Sequence, residues 1–111
     1  VNPRERRLAI VRAVQRARQA GTAIAFEAVG ERVEYEDRLL RFDATADALA
    51  PALADYHVFK VKQPETRKAP EGVTYVSAIA DAKHLADFLD DAFVRVFDAP
   101  EGYDLSVDAP D

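Results

Sequence analysis

The stretch YVSAIADAKHLADFLDDAF, residues 75–93, holds the groups of this chain whose types and spacing most resemble chemistry. His84, one of two histidines, is followed at helical spacing by Asp87 and Asp91. On a helix the three share one face, where an imidazole and two carboxylates can ligate a divalent cation or move a proton. They are the metal candidates. A metal centre needs three or four ligands converging on a point, however, and one helix face supplies them only in a row. Arg95 lies four residues after Asp91, the pairing of a solvated ion-pair face. Acid–base catalysis would need a nucleophile or a pocket besides. Ser77 in VSAIAD is nearest, but it lacks the glycines of a nucleophile elbow and stands where a helix begins. No catalytic residue is assigned.

The second constellation is basic. Lys60 and Lys62 alternate along HVFKVK, and Arg67 and Lys68 follow in the loop QPETRKAPEG. Four cations near Tyr56 and Tyr75 make an anion or nucleic-acid site conceivable, with contacts that would weaken as salt rises. The chain as a whole carries a net charge of −5, against the usual basic balance of nucleic-acid binders. His57 opens the same segment and is expected to be partly buried beside Phe59 and Val61. There is no glycine-rich phosphate loop or dinucleotide fingerprint, so no cofactor is expected.

The elements that must position these groups follow from periodicity. Asn2 as N-cap, Pro3 at the first helical position and Gly21 just past the end bound a helix over residues 3–20. Its buried stripe is Ile10, Ala13, Val14 and Ala17, with Leu8 on the polar face. From Thr22 the period falls to two, through Ile24, Phe26, Ala28, Val33, Tyr35, Leu40 and Phe42, predicting a three-strand meander. A helix through AIAFEAVGERV, as in a winged helix, is the competing assignment. Gly30 and the β-branched and aromatic residues oppose it. A short helix capped by Asp43 or Thr45 and interrupted by Pro51 comes next, then strands over 57–62 and 73–79. A last helix runs from Asp81 to about Phe93, with Leu85, Leu89, Ala92 and Val96 inward. The tail, residues 98–111, is expected to be mobile or to add an edge strand at 103–107.

The fold expected is therefore α+β: a single domain over 1–111, in the order α-βββ-α-ββ-α. A mostly antiparallel five-stranded sheet carries the first and third helices on one face. A chain of 111 residues can bury such a core alone. With no cysteine, disulfides, thiolate metal sites and thiol nucleophiles are excluded. No apolar run approaches a membrane span, and VNPRERRLAIVRAV lacks a signal-type core, which implies a cytoplasmic protein.

Charge is uneven along the chain. Residues 1–20 hold six arginines against one glutamate, while residues 81–111 hold nine acids against Lys83 and Arg95. Either the ends meet within one fold or they meet between copies. Arginine outnumbers lysine eleven to four, with 12 aspartates and 21 alanines. This usage, with the segment HLADFLDD, is similar to that of uncharacterised small haloarchaeal cytoplasmic proteins, domains of unknown function. That resemblance brings no motif of known activity. The function expected is a non-catalytic interaction or assembly module, self-associating as a homodimer or meeting another protein. Nucleic-acid binding through Lys60, Lys62, Arg67 and Lys68 is the alternative, and a metal-dependent enzyme on the His84 face the third.

Overall fold

The computed structural model describes residues 2–63 and 69–109. Helix α1 is Pro3–Ala20, started by the Asn2 side chain accepting from the Arg4 N–H at 2.8 Å. Gly21, at φ 68°, stops it by returning its N–H to the Ala17 carbonyl. That left-handed stop is the conformation glycine tolerates best. Strands β1 (Ile24–Ala28), β2 (Glu31–Glu36) and β3 (Leu39–Phe42) form the expected meander. Helix α2 (Ala46–Ala54) is capped by Thr45 and contains Pro51. Strand β4 (Thr74–Ser77), helix α3 (Ala82–Arg95) and strand β5 (Ser106–Asp108) complete the chain.

The sheet order is β4-β3-β2-β1-β5, antiparallel throughout. Register puts Phe26 opposite Val33, Val33 opposite Phe42, and Leu40 opposite Val76, so one face is apolar from edge to edge. α1 and α3 close over it. Ile10 and Val14 from α1 meet Leu85, Phe88, Leu89 and Phe93 from α3 in one core with the sheet residues. Phe88 stacks on Phe59 with centroids 4.4 Å apart and takes Phe42 and Tyr56 edge-on. These aromatic contacts fasten α2 and the segment after it to α3.

Segment 57–62 departs from the expected full strand. Only Val61 forms a bridge, to Val76, with Lys62 N–H donating to the Tyr75 carbonyl and Ser77 N–H to that of Lys60. Phe59 instead turns into the core, its N–H on the Tyr56 carbonyl, and this tight turn denies residues 57–59 a ladder. His57 is exposed as a result, not partly buried, and Val61 does not share a buried face with Phe59. The tail resolves in favour of an edge strand, β5, three residues long. Among the described residues no helix is long and apolar enough to cross a membrane.

The opposite sheet face carries no helix, and ion pairs across strands cover it. Arg32 reaches Glu27, Glu34 at 3.4 Å and Asp108 at 3.2 Å, while Arg41 lies 3.8 Å from Glu34. Each exposed pair contributes little to stability, but together they keep this face wetted.

Both tight hairpins place two residues at positive φ, as right-handed strand twist demands. The pairs are Val29 and Gly30 (49° and 79°) and Asp37 and Arg38 (49° and 63°). Val29 is the costly member, since a β-branched side chain clashes in the left-handed region. It is exposed and packs little, so Val29→Asn should raise stability by about 1 kcal/mol in a thermal or urea melt. A lower melting temperature for this variant would show that the valine contributes contacts outweighing its strain.

Candidate functional site

The arginine-rich start of α1 and the acid-rich α3 lie side by side, and their charges meet within one chain. Arg6 extends the buried stripe of α1 by one turn, four residues before Ile10, and is 3 % exposed. Its Nε donates to Asp90 Oδ1 at 2.8 Å, and its Nη1 donates to the Tyr103 carbonyl at 3.0 Å. The guanidinium also lies over the Tyr103 ring, 3.7 Å from the centroid. Tyr103 donates its hydroxyl back to Asp90 Oδ1 at 2.9 Å. Arg7, half-exposed, completes the set by donating to Asp90 Oδ2 at 3.2 Å. Three elements are clamped at one point. Burial, and then Asp90, push the Tyr103 hydroxyl far above its ordinary range, so it stays a neutral donor.

Beside this clasp a cleft of about 200 Å³ opens between the helices, lined by Arg7, Tyr56, Asp87, Asp90, Asp91 and Val94. Asp87 and Asp91 stand here. Asp91 Oδ1 pairs with Arg95 at 3.2 Å, whereas Oδ2 is buried with no hydrogen-bond partner among the described residues. Burial accordingly raises the Asp91 carboxyl above the usual carboxylate range. Tyr56 donates to the Asp87 carbonyl at 3.3 Å, and burial raises its hydroxyl too.

His84 does not join them. Its Nδ1 lies 2.8 Å from Asp81 Oδ1, and its backbone N–H donates to the same oxygen, making Asp81 the N-cap of α3. Those contacts hold the Asp81 carboxyl below its ordinary range. Among the described residues no three histidine, aspartate or glutamate side chains are grouped to hold a metal ion. The row of ligands read along α3 is thus split between a helix cap and an ion-pair cleft.

Lys60 and Lys62 are exposed along the sheet edge beside β4, and neither is in an ion pair among the described residues. Arg67 and Lys68 lie outside the described residues. Ser77 belongs to β4, with its N–H bound to Lys60. A broader cleft, about 580 Å³, lies where α1 ends over the β2–β3 turn, lined by residues including Arg18, Tyr35, Asp37, Arg38 and Ile79. Arg18 there is already spent on structure, donating to the Tyr35 hydroxyl and to the carbonyls of Ala78 and Ala80.

Periodicity alone passed over Arg6, Asp90 and Tyr103. A signal existed, since Arg6 sits in phase with Ile10, Ala13 and Ala17, and Asp90 in phase with Ala86 and Phe93. A charge in phase with a core stripe marks a paired, buried ion.

Fold and clasp together define a small α+β domain with a buried ion pair between its first and third helices. The chain belongs to a family of unknown function, DUF7975, whose model matches residues 1–109. No curated protein and no solved structure matches it.

Asp90→Ala should cost about 3–5 kcal/mol in urea unfolding, because it leaves the buried Arg6 unpaired. Asp91→Asn, one residue on, should change stability by less than about 1 kcal/mol, since its partner Arg95 is half-exposed. Equal effects of the two variants would deny the clasp its special place.

Proposed function

We propose that this chain is a non-catalytic interaction module that associates with a second copy of itself, in the cytoplasm of a cell of haloarchaeal type. The observation that carries the reading is where exposed apolar surface lies. Val58, Val61 and Ile79 are 53 %, 48 % and 65 % exposed, and Val61 is bridged to β4 at the sheet edge while the other two flank that edge in sequence. Val61 faces Val76 across the bridge, and Val58 and Ile79 each lie two residues beyond the bonded pair Lys60 and Ser77. Apolar side chains gathered at an unprotected edge favour association with another chain.

The end-to-end charge asymmetry no longer supports association, because Arg6 and Arg7 meet Asp87 and Asp90 inside the fold. What supports a non-catalytic role is that the histidines and the carboxylates of α3 are engaged in caps and ion pairs or stand apart. The arginine-rich, cysteine-free composition supports the cellular setting.

Nucleic-acid binding remains a second reading because Lys60 and Lys62 are exposed along that same edge. One set of experiments separates the two. Sedimentation velocity at low and at molar salt should show the 12.3 kDa chain above monomer mass in at least one of the two, with retention of labelled DNA or RNA absent. A strict monomer at both salt concentrations would overturn self-association. Retention lost on replacing Lys60, Lys62, Arg67 and Lys68 by alanine would put nucleic acid in its place.

A further inference from the structure

We propose that copies of this chain join head to tail by their sheet edges, the basic edge at residues 60–62 of one copy pairing with the acidic strand β5 of the next. This rests on the self-association reading above and specifies which surfaces meet. Among the described residues, the two ends of the sheet are the 60–62 segment beside β4 and β5 beside β1. All six residues, Lys60, Val61, Lys62, Ser106, Val107 and Asp108, are exposed.

Backbone geometry permits the join. Lys60 and Lys62 spend their pairing groups on β4, through the Ser77 N–H and the Tyr75 carbonyl. By the alternation of antiparallel ladders, the N–H and C=O of Val61 then point to the open side. Neighbours in the series 60–62, β4, β3, β2, β1, β5 all run antiparallel, so the first and last members run in opposite directions. A second copy that continues the sheet, with its helices on the same side, therefore presents β5 antiparallel to residues 60–62. No strand need be reversed.

Side chains match on both faces of that join. Val61 lies on the face of Val76, and Val107 on the face of Phe26, which is the helix-covered side in each case. Lys60 and Lys62 lie on the face of Ser77 and Tyr75, and Asp108 on that of Ala25, which is the open side. Valine meets valine and lysine meets aspartate. A two-fold pairing of like edges fails this test. With valine on valine, two 60–62 edges would set Lys60 opposite Lys62, and like charges directly opposite are destabilising, while two β5 edges would set Asp108 opposite Ser106 with no cation to meet it. A heterologous join of this kind does not close on itself, so the dimer is the first member of an open series. With three residues on each edge, each join is weak and depends on concentration and salt.

The test is sedimentation velocity across a concentration series at low salt, on wild type, K60E/K62E, D108K and an equimolar mixture of the two variants, with circular dichroism confirming the fold. The wild-type average mass should rise with concentration, each variant alone should stay monomeric, and the mixture should associate again. K60Q/K62Q, which removes charge without reversing it, should associate more weakly than wild type. Either charge-reversed variant associating alone as wild type does would overturn this join and leave self-association standing. A mixture of folded variants that stays monomeric would also overturn the charge-matched pairing. Wild type monomeric at every concentration would overturn both readings.

Discussion

Removing Arg6 and Asp90 from water costs several kcal/mol per ion, and nothing in an apolar core returns that unless every polar atom finds a partner. Here the partners are the Tyr103 hydroxyl and carbonyl, the Tyr103 ring and the half-exposed Arg7. The ions and their partners together come from three segments of the chain, so the charge is compensated only when α1, α3 and the approach to β5 are all in position. An ion pair sealed in this way is also little affected by salt, which screens exposed pairs such as Arg32 with Asp108. Specific assembly of the two ends of the chain follows from that one constraint.

The remaining architecture divides its labour around the clasp. Apolar alternation in the meander gives the sheet one dry face, and α1 and α3 cover it because their apolar stripes have nowhere else to go. The other face is kept wet by the Arg32 and Arg41 pairs, which makes it unsuited to apolar docking. Exposed apolar side chains stand at the edges of the sheet instead. There the exposed valines and Ile79 are flanked by cations at one end of the sheet, while Val107 is flanked by Asp108 at the other.

Where sequence patterns are local, they could be read directly. The bounds of α1 followed from Asn2, Pro3 and Gly21, and the meander from strict alternation between Ile24 and Phe42. The residues at which the hairpins turn are not read from alternation, because twist selects positive φ even at Val29 and Arg38. Segment 57–62 was illegible for a tertiary reason, since the pull of Phe59 into the cluster of Phe42, Tyr56 and Phe88 outweighs its strand-like alternation. The candidate site was legible only in part. Asp87 and Asp91 share a cleft as their spacing suggested, but His84 turns to the Asp81 cap, an alternative that helical phase does not reveal.

The most direct test of the clasp is a double-mutant cycle on its two ions, with Arg6→Met, Asp90→Leu and the pair together unfolded in urea. If each ion is tolerated in the core because of the other, each single change leaves its partner buried and unpaired, and the double variant regains much of the loss. The predicted interaction energy is at least about 2 kcal/mol. Losses that add to within about 0.5 kcal/mol would contradict it, showing that Arg6 and Asp90 act independently and that the ends of the chain are held by apolar packing alone.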